Sequence, residues 1–171
     1  DLTASLLTAW AWLGAGNPKK ASETIEKMPD DPATRPFRNL HAGLIAKLAG
    51  KPDDALALIK SAYDNDHNTV LTADLYARTL YAMGQKDNAK AVYLEIAKIL
   101  PRHPLIHDAL ERLDAGKPLE DRIKDEKSGA AEVLFGLGSA VTRDGDELSS
   151  LIYLRLAVWL MPDHAPALLA I

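Results

Sequence analysis

His103 and His107 stand four residues apart in "HPLIH". That spacing puts two imidazoles on one face of a helix, as metal sites use it. Only Asp108 stands nearby as a further ligand, so the pair is read as the polar first turn of a helix. "DNDHN" (Asp64 to Asn68) has the composition of a calcium loop but lacks the turn Gly and the closing Glu at the required positions. It is read as a polar turn between helices. "RDGDE" (Arg143 to Glu147) is read as a turn followed by a helix start. The chain has no Ser in a G-x-S-x-G elbow and no glycine-rich phosphate loop. It also has no cysteine, which excludes disulfides, thiolate zinc sites and cysteine nucleophiles. No nucleophile, base and orienting group assemble from the rest. The expectation is a chain without catalysis, metal or cofactor.

What remains is chemistry for recognition. Asp74 lies four residues before Arg78, and Tyr81 three after it, so all three fall on neighbouring parts of one helical face. Asp74 is predicted to pair with the Arg78 guanidinium and hold it in place beside an aromatic wall. The bland version of this pair is an exposed helix ion pair worth only about 0.3–0.5 kcal/mol. Trp10 and Trp12 point to different faces of one helix, and core or neighbour packing is the reading for each, since indoles carry large buried areas.

The elements that position these residues follow from a repeat. Gly16, Gly50 and Gly84 are 34 residues apart, and Ala21, Ala55 and Ala89 keep the same interval. Gly116 and Gly145 follow at 32 and 29. A fixed period in this range marks stacked supersecondary units. Between the glycines, Leu40, Leu44, Ile45 and Leu48 recur at helical intervals, as do Leu56, Ile59 and Tyr63, and strand-like alternation is absent. Each unit therefore reads as helix, tight turn, helix, with Gly supplying positive φ at the turn. Pro18 and Pro52 suit the first turn of the second helix. Ala9, Gly43, Ala77, Ala109 and Gly138 each lie seven residues before a turn Gly, where a small side chain lets two helices approach. Pro101 and Pro162 mark helix stops. Paired helices are predicted near 2–15 and 18–28, 35–49 and 52–63, 69–83 and 86–99, a single helix near 103–115, then helices near 129–143 and 146–160.

Composition sets the outer bounds. The 171 residues are 47% hydrophobic and 26% charged, with a formal net charge of -4. That is ordinary for a globular chain and carries no electrostatic footprint for nucleic acid. No apolar run approaches the ~20 residues of a spanning helix, so no membrane insertion is expected.

These residues resemble the tetratricopeptide repeat, whose pattern is W-x2-L-G-x2-Y, then A-x3-F, then P. "LFGLGSAV" fits its first part as Leu134, Leu137, Gly138 and Val141, with Pro162 at the closing position. The third unit fits as Ala77, Leu80, Ala89, Tyr93 and Pro101. No unit has the Trp in its usual slot. The stretch "GAAEVLFGL" (Gly129 to Leu137) is also similar to multi-repeat bacterial proteins of this family. The resemblance implies an all-α, right-handed superhelix of antiparallel helix-turn-helix units near 2–34, 36–68, 70–101, a degenerate 102–128, 131–164 and the start of another at 165–171. It forms one domain, read as an excerpt of a longer array, and the resemblance leans to a bacterial envelope compartment.

In the family, the first helices line a concave side that holds an extended peptide. The resemblance places Leu40, Leu44 and Lys47, then Asp74, Arg78 and Tyr81, then Phe135, Ser139 and Thr142 on it. The family's clamp for a peptide carboxylate needs several Lys, Arg and Asn there. Only Lys47 and Arg78 could serve, and Asp74 opposes them, so a groove of apolar pockets with a few hydrogen-bonding groups is expected instead. The implied function is a protein- or peptide-binding scaffold. The alternative is an accessory or regulatory segment of a larger enzyme whose chemistry lies elsewhere.

Two segments break the pattern. Lys117 to Lys127 holds four basic and four acidic residues where a second helix should stand, and only Leu119 and Ile123 could be buried. It is read as an irregular connector or a short helix lying across the stack, with two versions: a solvated, interrupted repeat with no function, or an insertion shaping a binding edge. "HAPALLAI" (His164 to Ile171) ends on apolar residues, and an exposed stripe of Ala167, Leu168 and Ile171 is expected to meet a further repeat.

Overall fold

The computed structural model describes residues 1–171 and holds ten helices and no strand. The helices are α1 (Leu2–Gly14), α2 (Pro18–Glu26), α3 (Arg35–Leu48), α4 (Pro52–Asn65) and α5 (Val70–Ala82), then α6 (Lys86–Ile99), α7 (Pro104–Asp114), α8 (Glu126–Arg143), α9 (Glu147–Leu160) and α10 (Ala165–Ala170). The all-α helical-repeat fold read from the sequence is the one observed. All five turn glycines carry positive φ, between 66° and 84°. A residue with a Cβ would be strained there by roughly 1–2 kcal/mol. No helix is long and apolar enough to cross a membrane.

The small residues act as expected. Ala9, Ala77 and Ala109 are fully buried, as are Ala21, Ala55 and Ala89. A Cβ on Gly43 would meet the Ile59 side chain and lie 3.0 Å from the Ala55 carbonyl. A Cβ on Gly138 would lie 3.0 Å from Leu154. At these two glycines the paired helices approach at backbone distance.

The chain forms two compact units. The first comprises residues 1–30, 44–50 and 123–171, and the second residues 31–43 and 51–122. In the first, α1 packs on α2, α8 on α9 and α9 on α10, and α8 also packs against α1. The last contact joins the first and fifth repeats of the sequence. It includes the buried Trp10 indole, which lies against Gly129, where any Cβ would strike three ring atoms. In the second unit α4, α5, α6 and α7 each pack on the next.

Helix α8 begins three residues before its predicted start. Asp125 accepts a hydrogen bond from the Ser128 amide at 2.8 Å, and the Ser128 hydroxyl accepts one from the Asp125 amide at 3.1 Å. This is a reciprocal capping box, with Ser where Glu or Gln is usual. The Ser128 amide, followed by the Ser128 hydroxyl, holds the Asp125 carboxyl below its ordinary value of 3.8. Asp125→Ala is expected to cost about 1 kcal/mol. Because the folded pKa is depressed, that contribution is fully present above 3.8 and fades as pH falls through the lower folded value. Melting curves of the two proteins should differ at neutral pH and converge in strong acid.

The apolar end differs in detail from expectation. Ala167 is buried, because α10 packs on α9 and its start is tied down by His164. The His164 Nδ1 accepts from the Ala167 amide at 3.1 Å, and its Nε2 lies 3.0 Å from the buried Glu132 carboxylate. An imidazole that accepts at Nδ1 must carry its proton on Nε2, so His164 is neutral and donates to Glu132. Leu168 and Ile171 are exposed as predicted. They are joined on α9 by Leu148, Ile152, Leu156 and Trp159, the last 77% exposed.

Candidate functional site

Asp74 sits in the middle of α5, and its side chain is fully buried. A carboxylate in that position requires partners, since an unpaired buried charge is costly. It has three. Arg78 Nε donates to both oxygens at 2.9 and 3.1 Å, from one turn along the same helix. The Tyr93 hydroxyl donates from α6 at 2.6 Å. Arg122 Nε donates from the connector at 2.6 Å. Burial and the adjacent Asp74 charge push the Tyr93 phenol well above the usual range, so it stays a neutral donor.

The predicted Asp74–Arg78 pair therefore exists, but as a buried cluster rather than an exposed helix pair. The Arg78 and Arg122 side chains are only 11% and 17% exposed. The connector is neither helix nor solvated tail. From Lys117 to Lys124 it lies outside any helix, with Leu119 and Ile123 buried. Three contacts within the second unit pin it. Arg112 donates to the Pro118 carbonyl at 3.1 Å, Arg78 donates to the Glu120 carbonyl, and Arg122 reaches Asp74. Every second residue is engaged, while Leu119 between them is buried.

The other predicted residues divide. Tyr81 is half-buried, with Lys86 Nζ 5.5 Å from its ring centre. Leu40 of the second unit is buried, as are Leu44 and Phe135 of the first, so these three pack the interior instead of facing a groove. Phe135 lies 5.3 Å from the His164 ring. Lys47 and Ser139 are half-buried and Thr142 is exposed. The Thr142 hydroxyl donates to the Gly138 carbonyl at 2.8 Å and bonds the Ser150 hydroxyl. Trp10 is core, whereas Trp12 is half-buried under the Lys20 ammonium, 4.3 Å from the ring centre.

Two features escaped the sequence reading. One is the role of Arg122, which lay in a segment of balanced charge with nothing to single it out. The other is an open cavity of about 460 Å³ between α4, α5 and α6, lined by Leu56, Lys60, Tyr63, Tyr76, Leu80 and Glu95 among others. Tyr63 and Tyr76 stack there at 4.9 Å, and burial raises both phenols above the ordinary value of 10.0. Of the motifs with metal-like spacing, His107 pairs with Glu111 at 3.2 Å on an exposed face. Asp146 caps α9 by accepting from the Ser149 amide at 3.0 Å. No three His, Asp or Glu side chains converge as metal ligands would.

No protein-family model matches the sequence, and no curated protein matches it either. Among solved structures, one titled MamA MSR-1 C2 is similar over 94% of this chain and 76% of that chain, at 17% sequence identity and a TM-score of 0.44.

Proposed function

We propose that the chain is a non-catalytic protein-interaction scaffold that holds an extended segment of a partner protein along α5. The observation that carries this reading is the way α5 treats the connector. Arg78 donates to a main-chain carbonyl, and Asp74 accepts from a side-chain guanidinium. A carbonyl contact is indifferent to sequence, and a buried carboxylate is selective for a cation. Together they give affinity and register, the division of labour found where extended peptides are recognised. Tyr81 lies one turn beyond Arg78 and is partly exposed, and tyrosines at such places are frequent hot spots.

Tyr81→Ala provides the test, because it leaves the Asp74 cluster untouched. The intact chain is used to capture its partner, the partner is purified, and the affinities of the two proteins for it are compared. With the helical content unchanged, the affinity is expected to fall tenfold or more, about 1.4 kcal/mol. An unchanged affinity would place the partner on another face.

A further inference from the structure

The α5 face is not vacant. Residues 120–122 reach it, with the Glu120 carbonyl on Arg78 and the Arg122 guanidinium on Asp74, while the Pro118 carbonyl before them is held by Arg112 of α7. We infer that this connector is a built-in ligand of α5, and that a partner segment enters by presenting a main-chain carbonyl to Arg78 and an arginine to Asp74 in its place.

The inference rests on the scaffold reading and makes it specific. The connector shows what α5 accepts: a main-chain carbonyl, represented by Glu120, and an arginine, represented by Arg122. The carbonyl that Arg78 holds belongs to Glu120, two residues before that arginine. Arginine suits the site better than lysine, because a planar guanidinium retains its charge and is less strongly hydrated when most of it is buried. The partner class is therefore a non-helical, arginine-bearing segment.

The cluster is built so that one member can leave. Without Arg122, Asp74 keeps Arg78 at 2.9 Å and Tyr93 at 2.6 Å, so a charge partner and a neutral donor remain. Arg78 and Tyr93 come from helices, whereas Arg122 comes from a non-helical segment. The arginine on the connector is thus the exchangeable one. Tethering gives it an effective concentration in the millimolar range for a short flexible link, which an incoming segment must overcome.

The probe is a labelled peptide of residues 117–124, KPLEDRIK, added to the whole chain. Arg122→Ala is expected to bind it at least tenfold more tightly than the natural chain, by fluorescence anisotropy. Arg122→Lys should fall between them, which guards against misreading an Arg122→Ala chain that folds poorly. A peptide whose own arginine is replaced by alanine should bind neither. Equal affinity for the natural and Arg122→Ala chains, no binding to either, or no dependence on the peptide's arginine would each overturn the inference. The purified partner separates this failure from that of the scaffold reading. If its affinity depends on Tyr81 but is the same for natural and Arg122→Ala chains, the scaffold stands and the built-in ligand does not.

Discussion

Trp10→Ala is expected to destabilise the first unit by about 3–5 kcal/mol, as a fully buried large aromatic does when truncated. The indole is 1% exposed, and one of its faces is covered by Gly129 of α8. Removing it empties the seam between α1 and α8. Refilling would require the backbone at Gly129 to move, and α8 is also fixed by its packing on α9. The converse substitution, Gly129→Ala, forces a methyl group into the ring and should cost about 1–3 kcal/mol by overpacking. Urea unfolding followed by circular dichroism checks both, through a lowered midpoint at unchanged slope. A Trp10→Ala loss below about 1 kcal/mol would mean that the seam contributes little to stability.

Asp74→Ala is the second large effect. It leaves two largely buried guanidiniums and the Tyr93 hydroxyl without their shared acceptor. Breaking a buried ion pair by removing one partner costs about 3–5 kcal/mol, because the remaining charge is uncompensated. The loss should be smaller in an Arg122→Ala background, where one of the two stranded cations is already gone. A double-mutant cycle reads this coupling directly. Full additivity would mean that Arg122 and Asp74 do not act as a pair, and the account of the connector would fail with it. Hydrogen exchange adds a second readout, since Asp74→Ala should loosen the connector around Arg122 while α5 and α6 remain protected.

The helices were legible because their signals are local. Gly84 at a turn, Pro52 at a helix start and Ala77 at a close crossing each act within a few residues, and all behave as their types and spacing predict. The start of α8 was missed because its capping box uses Ser128 in place of the usual Glu or Gln. The contact of α8 with α1 was not legible at all. Trp10 and Gly129 are far apart in sequence, and a period says which units exist without saying which ones touch.

The site was legible in part for the same reason. Asp74 and Arg78 meet because they are one turn apart on a helix. Their burial was invisible, since Tyr93 and Arg122 reach them from other segments. Leu40, Leu44 and Phe135 were placed on an accessible face by alignment to a repeat pattern. That pattern fixes the helix a residue occupies but not whether a neighbour covers it, and for these three the burial of apolar surface decided the outcome. The connector's balanced charges concealed that one of them, Arg122, is held in the interior.

The measurement that bears most directly on the central claim is a structure of the chain with its captured partner segment bound. The account predicts an extended segment along α5, one guanidinium within hydrogen-bonding distance of Asp74, a main-chain carbonyl at Arg78, and residues 117–122 displaced. A segment lodged instead against the exposed Leu148 and Trp159 of α9, or in the cavity beside Tyr63 and Tyr76, with Arg122 still on Asp74, would contradict it.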